Sequence, residues 1–194
     1  MRPGEFHEPI WDAPLDVERA IAAIPETATL TGTFLAAVAD EAKARGLALP
    51  SARERYVGFK PYPLREHARL MVEAAQAFWP EASIRVGLRK LGRGAPATLV
   101  RSLSGRVVFG SAQGVLEALR AMAKSYAIHM KPGSIEIEEL AAGRALARLR
   151  QVHTFIDPHH VGVLEGVMKF SGVKGKVTTR ALSSSAADLL CEWS

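Results

Sequence analysis

The chain has 194 residues, of which 48% are hydrophobic and 23% charged, with a formal net charge of +5. These are ordinary values for a globular protein that buries one sizeable core. The single cysteine, Cys191, excludes an intramolecular disulfide and a thiolate metal cluster. It fits a reducing compartment, so we expect a cytoplasmic protein. No apolar run is long enough to span a membrane, and the first residues lack the apolar stretch of a secretory signal.

Residues 15–132 have the apolar spacing of helices. An extended, proline-rich arm over residues 1–14 comes first, with Trp11 as a possible anchor. Asp16 is placed to cap the first helix, and Gly46, Gly92 and Gly94 are expected to end later ones. The spacing predicts helices over residues 17–24, 27–45, 64–79, 81–94, 97–103 and 112–128.

Residues 133–194 change to the alternating pattern of strands. A hairpin is predicted over 134–138 and 145–155, with its turn at Gly143, and a second over 176–182 and 187–193 around Ser183–Ser185. A helix over 158–171 lies between them. We therefore predict one α+β domain over residues 1–194, whose helical part packs on an antiparallel sheet of strand-strand-helix-strand-strand order.

The helix predicted over 158–171 carries the most informative pattern in the chain. Asp157-Pro158 is a helix-start signal, and Gly172 is expected to end the helix in the left-handed conformation. Gly162 and Gly166 lie four apart on one face, where glycine costs about 1 kcal/mol relative to alanine. Something therefore packs against the backbone there, either a sheet or a ligand. The predicted ligand-binding residues are Gly162, Leu164, Gly166, Val167, Met168 and Phe170, with Phe34, Met71 and Phe78 from the helical part.

The histidines are the residues most suited to metal or acid–base chemistry. His159 and His160 are adjacent, so their side chains point in different directions on a helix and suit one metal ion poorly. They are either a polar helix start in water or, with His153 and Asp157, a folded-back site. His67 lies on an apolar helix face, which favours a core histidine with one hydrogen bond over a haem ligand.

The remaining candidates favour structural roles. Arg85, Arg89, Lys90 and Arg93 form a basic helix face that we expect to be solvated, without the aromatic residues that single-strand binders place among such charges. Ser183–Ser185 lack the Gly-x-Ser-x-Gly surroundings of a nucleophile, and they read as a hairpin turn. No specific nucleic-acid partner is expected.

Several short motifs resemble those of a family of myxobacterial proteins of similar length that has no assigned activity. They are Gly32-Thr-Phe-Leu, Tyr62-Pro-Leu-Arg, Leu91-Gly-Arg, Ser104-Gly-Arg, Gly162-Val-Leu-Glu-Gly and Glu192-Trp193. The C-terminal part also resembles the 4-vinyl reductase domain and, in fold, the haem nitric-oxide-binding domains. This resemblance implies a core that accepts a hydrophobic ligand or a partner domain. The Tyr-x-Ser-x-Arg motif with which the haem-based sensors hold the propionates is absent here.

These observations predict a non-enzymatic sensory or adaptor protein that binds a small, lipid-like hydrophobic ligand between the helix 158–171 and the sheet. The alternative is a protein-interaction module with a dry core and a basic face around residues 85–93. A third hypothesis is a haem or metal protein that uses His67, His153 or His159. The sequence leaves open whether the protein forms a homodimer.

Overall fold

The structure is a computed structural model that describes residues 4–101 and 112–194. Its helical part contains α1 (Val17–Ala22), α2 (Gly32–Ala44), α3 (Leu64–Phe78), α4 (Ile84–Arg101) and α5 (Val115–His129). Asp16 caps α1 by accepting a hydrogen bond from the backbone N–H of Arg19 at 3.0 Å, as predicted. No helix among the described residues is long and apolar enough to cross a membrane.

Helix α4 differs most from the prediction. Two helices were expected, over 81–94 and 97–103, but a single one runs from Ile84 to Arg101 and includes Pro96; residues 102 and 103 lie outside the described part of the chain. Gly92 does not end the helix. It lies where a Cβ atom would collide with the backbone carbonyl oxygen of His159, so its role is to let another segment approach.

A small antiparallel sheet, which the sequence pattern did not predict, joins three connections of the helical part. It consists of β1 (Thr29–Thr31), β2 (Pro61–Pro63) and β3 (Met130–Lys131) in the order β2-β1-β3. The helix predicted over 27–45 therefore begins only at Gly32. Strands this short cannot show an alternation of polar and apolar residues in the sequence. They form because residues distant in the chain pair with one another, as Leu30 does with Tyr62 and Met130.

The C-terminal part confirms the α+β class and the two hairpins. Strands β4 (Ser134–Ala141), β5 (Arg144–Arg150), β6 (Gly175–Ser183) and β7 (Ala186–Trp193) form an antiparallel sheet of order β4-β5-β7-β6. Strand β5 ends earlier than the predicted residue 155. The backbone of Gln151 has a positive φ of 55°, which takes the chain out of the strand.

The helix between the hairpins begins with a π-helical turn, Ile156–His160, and continues as α6 (Val161–Phe170). The prediction that Asp157 caps this helix is wrong. The turn follows Phe155, whose φ is 30°, and no side chain caps it. Asp157 instead accepts a hydrogen bond from Nη1 of Arg85 on α4 at 2.8 Å. Gly172 ends the helical segment with a φ of +79°, as predicted.

Helix α6 lies on the sheet as predicted, but its glycines face α4. A Cβ atom on Gly166 would lie 2.5 Å from the carbonyl oxygen of Arg93, and one on Gly162 would collide with the carbonyl oxygen of Arg89. The opposite face contacts the sheet, where the Met168 side chain lies against Gly175 of β6. Three glycines, at positions 92, 162 and 166, thus bring the α4 and α6 backbones into direct contact.

Candidate ligand-binding cavity

A cavity of about 740 Å³ lies between the helical part and the π-helical turn. Helices α2, α3, α4 and α5 line it, together with Thr154, His159 and His160 before and within the turn. Three of the predicted ligand-binding residues, Phe34, Met71 and Phe78, lie in its wall. A volume of this size falls within the range of small-molecule sites.

Buried polar atoms without partners collect in the wall of this cavity. Within the described chain, each lacks a hydrogen-bond partner, and each of their residues lines the cavity. Leaving such a group unpaired costs about 1–3 kcal/mol, so their convergence is a feature of a binding site rather than of a core. The atoms are Nδ1 of His67, Oγ of Ser125, the hydroxyl of Tyr126, Nε2 of His129, Nδ1 of His159 and Nδ1 of His160.

The cavity keeps its histidines neutral. Burial lowers the pKa of His67 to about 3, and the neighbouring His159 contributes to that shift. Burial likewise lowers the pKa of His160 to about 3 and that of His159 to about 4. The pKa of His129 is also lowered by burial. A neutral imidazole nitrogen with no partner is a good ligand for a metal ion and a good partner for a polar ligand atom.

Charged residues stand at the exposed rim of the cavity. Arg45 and Lys90 line it and are both exposed. The guanidinium group of Arg45 lies 4.3 Å from the centre of the Phe78 ring, and Nζ of Lys90 lies 5.2 Å from that of the Trp79 ring. These cations stand where an anionic group of a bound molecule would meet solvent.

The other predicted ligand-binding residues lie elsewhere. Gly162 and Gly166 are covered by α4, and Leu164, Val167 and Met168 are buried. Phe170 is 50% exposed at the end of α6. None of these six residues lines the cavity of the described chain. The apolar pattern of α6 marks its place between α4 and the sheet.

The prediction that His159 and His160 form a polar helix start in water is wrong. His160 is 5% exposed, and its ring lies edge-on to those of Tyr126 and His159 at 6.0 and 5.2 Å. His67 is buried as predicted, but its Nδ1 has no partner in the described chain. The π-helical turn places both residues of the pair toward the protein interior, which a regular helix start in water would not do.

The prediction of a solvated basic face on α4 is wrong for Arg85 and Arg89, whose side chains are mostly buried, whereas Lys90 is exposed as predicted. Arg89 and Arg93 both donate to the carboxylate of Glu165 on α6, the latter at 2.7 Å. Burial alone would raise the pKa of Glu165, but the hydrogen bonds and charges of these two arginines outweigh it and lower that pKa. The guanidinium group of Arg89 also stacks on Trp11 at 3.7 Å. The positive charges of this face therefore hold the α4–α6 contact together.

His153 lies in a different, smaller cavity of about 250 Å³ together with His7 and Asp157. Burial lowers the pKa of His153. Ser183 and Ser184 line the same cavity at the β6–β7 hairpin. Among the described residues, no group of three His, Cys, Asp or Glu side chains is placed to hold a metal ion.

Sequence reasoning missed the contribution of α5 to the cavity. Ser125 and His129 are spaced four apart, so both lie on the buried face of this helix. Polar residues at such spacing within an apolar stripe are a readable signal. The apolar members of the stripe predict the helix, but they do not indicate that His129 lies beside them.

The fold is similar to those of H-NOX proteins. One from S. oneidensis, a variant in the Fe(II) ligation state, has a TM-score of 0.68 at 14% identity and covers 85% of this chain and 96% of its own. The Fe(II) unliganded protein from K. algicida has a TM-score of 0.64 at 11% identity, and the match covers 85% of this chain and 97% of that one. A variant from T. tengcongensis has a TM-score of 0.59 at 13% identity, and the match covers 84% of this chain and 94% of that one. At such identities the likeness shows the fold.

A comparison with curated protein sequences finds no match. The model of the family described as "Protein of unknown function (DUF2378)" matches residues 25–194. Because the match spans most of the chain, the protein belongs to this family.

Proposed function

We propose that this member of the DUF2378 family is a small-molecule sensor that holds haem in the 740 Å³ cavity. The observation that carries the proposal is the set of unpartnered, neutral histidine nitrogens in a cavity of that size. The H-NOX fold supports it, since the solved H-NOX structures include an Fe(II)NO ligation state and an oxygen complex. The family description specifies neither a ligand nor a partner.

The residues that line the cavity fit haem in three respects. The wall supplies imidazole nitrogens that are uncharged and free, as an iron ligand must be. Its apolar part, including Phe34, Met71 and Phe78, covers a flat hydrophobic molecule. At the rim, Lys90 and Arg45 would meet the two carboxylates, and Arg45 would exchange its ion pair with Glu41, at 2.8 Å, for one of them. Bound haem would supply an iron atom that takes up a diatomic gas.

The chain's propionate contacts would differ from those that the Tyr-x-Ser-x-Arg motif provides, because that motif is absent from the sequence. Lys90 belongs to α4 and Arg45 directly follows α2, so the carboxylates would be held between two helices. Movement of either helix would then depend on the ligand. Ligand binding would in this way shift the equilibrium between two helix positions, as a sensor requires.

A lipid-like ligand is the second candidate, favoured by the apolar residues of the same wall. A fatty acid would bury methylene groups worth about 0.8 kcal/mol each. Its carboxyl group would offer hydrogen bonds, but it supplies no metal ion for the lone pair of a neutral imidazole. Haem supplies an iron atom for such a lone pair and therefore fits the wall better.

Native mass spectrometry of the protein, purified from cells supplied with a haem precursor, tests this function. We expect a mass excess equal to haem that disappears on denaturation, together with a haem absorption band. A fatty acid in place of haem would favour the second candidate. Protein that stays bare after reconstitution with ferric haem would contradict the haem proposal, and protein that also takes up no fatty acid would contradict both candidates.

Cavity filling provides the matched test. Ala37 lines the cavity on α2, whereas Ala44 on the same helix is exposed and does not. Ala37→Trp is expected to weaken haem binding by at least about tenfold, or 1.4 kcal/mol. Ala44→Trp should bind like the wild type. Equal affinity in the two variants would place the ligand outside this cavity.

A further inference from the structure

Among the described residues, His129 is the cavity histidine whose ring is hydrogen-bonded to another side chain. Its Nδ1 is paired with Thr31, and Nε2 is its buried nitrogen without a partner. The ring of His129 is 2% exposed and belongs to the last residue of α5. The free nitrogen therefore lies at the end of the imidazole that is farthest from the backbone.

The two nitrogens of an imidazole differ in how closely a large flat ligand can approach them. Nε2 is flanked by two C–H groups, so a planar macrocycle can approach it squarely. Nδ1 adjoins the ring carbon that carries the side chain, so the residue's own Cβ would meet the macrocycle. The unpartnered Nε2 of His129 is therefore the less crowded of its two nitrogens.

The second nitrogen of His129 is already held by the protein. Nδ1 lies 2.8 Å from the hydroxyl oxygen of Thr31, on β1. If Nδ1 donates its proton to this hydroxyl, Nε2 is left with a free lone pair. Histidines that bind metals typically donate their other N–H in this way, which fixes the tautomer and the ring orientation.

Two aromatic rings fix the plane of the imidazole. Phe34 meets it edge-on at 5.2 Å, and Phe59 stacks on it at 6.2 Å with an interplanar angle of 17°. Phe59 is itself 68% exposed. His129 is thus oriented on three sides before any ligand binds, which reduces the entropy lost on ligation.

We infer that Nε2 of His129 is the atom that binds the haem iron and that Thr31 is the positioning residue behind it. This inference rests on the proposed function. It places the iron ligand at the junction of α5 with the small sheet, where Thr31 and Met130 belong to neighbouring strands. A change at the iron would therefore reach β1 directly through the Thr31 hydrogen bond.

The experiment compares the absorption and electron paramagnetic resonance spectra of His129→Gly, His67→Gly and His160→Gly after reconstitution with ferric haem. We expect His129→Gly alone to lose the histidine-ligated spectrum while still retaining haem. Added imidazole should restore that spectrum by entering the space of the missing ring. The other two variants should keep the wild-type spectrum.

A wild-type spectrum in His129→Gly, or loss of the histidine signature in His67→Gly or His160→Gly, would overturn the assignment while leaving haem binding intact. Wild-type protein that takes up no haem would instead overturn the function on which the assignment rests. If His129→Gly does not fold, Thr31→Val decides the matter. It removes the bond to Nδ1 and should shift the iron–histidine stretching frequency; an unchanged frequency would contradict the inference.

Discussion

Replacing Gly166 by alanine tests the contact between α4 and α6. A Cβ atom built on Gly166 lies 2.5 Å from the carbonyl oxygen of Arg93 and 3.0 Å from its Cα atom. Both are backbone atoms of a helix, so no side chain can move aside, and the two helices must separate. Overpacking of this kind costs about 1–3 kcal/mol, and the gain in helix propensity offsets at most about 1 kcal/mol of it.

We therefore expect Gly166→Ala to lower the free energy of unfolding by about 1–2 kcal/mol, since about 1 kcal/mol of propensity is regained. For a protein of this size, each 1 kcal/mol lowers Tm by about 2–4 °C. Gly94→Ala is the matched control on α4, because a Cβ atom there meets nothing within 4 Å. It should be neutral or stabilising by up to about 1 kcal/mol.

Urea unfolding followed by circular dichroism measures both variants, with Gly166→Leu as a larger member of the series. The order of stability should be Gly94→Ala, Gly166→Ala, Gly166→Leu. If Gly166→Ala were as stable as Gly94→Ala, the close backbone contact would not exist, and the orientation assigned to α6 would be wrong.

Three further predictions follow from buried charges and thiols. Glu165→Gln should cost about 3 kcal/mol, because it leaves two arginines facing a neutral amide. Glu26→Gln, which alters an ion pair whose glutamate side chain is 86% exposed, should cost little in the same unfolding assay. In the ligand-free protein, His67 and His160 bind protons in the unfolded state from about pH 6.5 downward but in the folded state only near pH 3. Unfolding free energy should therefore fall with decreasing pH across that window by about 1.4 kcal/mol per unit for each histidine, and His67→Asn should remove one such contribution; a pH-independent stability would contradict this. Cys191 is fully buried and its thiol pKa is raised to about 12, so a thiol reagent should label it only after denaturation, and rapid labelling of native protein would be inconsistent with the fold.

The candidate site could be predicted from the sequence only in part. Phe34, Met71 and Phe78 were identified as members of apolar helix faces, and they line the cavity. The apolar residues of α6 satisfied the same criterion, yet they pack on α4 and the sheet. Periodicity identifies residues that avoid water, but it does not distinguish residues that line a cavity from residues that pack directly against another element.

The polar half of the cavity was less accessible to sequence reasoning. The sequence pattern predicts a regular helix start at His159 and His160, whereas a π-helical turn places both residues in the cavity wall. Arg89 and Arg93 were read as solvated, because their partner Glu165 lies more than seventy residues away. A side chain's partner across such a distance depends on the packing of whole helices.

The sequence by itself determined the α+β class, the two C-terminal hairpins and most helix positions, because these follow from local periodicity, caps and turn residues that act over a few positions. It also indicated that something packs against the helix backbone at the two glycines of α6. Only the tertiary structure decided that this neighbour is α4, and which histidines share one cavity. Both outcomes depend on long-range contacts, namely the close approach of α4 to α6 and the hydrogen bond between His129 and Thr31. Such contacts are determined by the volume and pairing of residues that are distant in the chain.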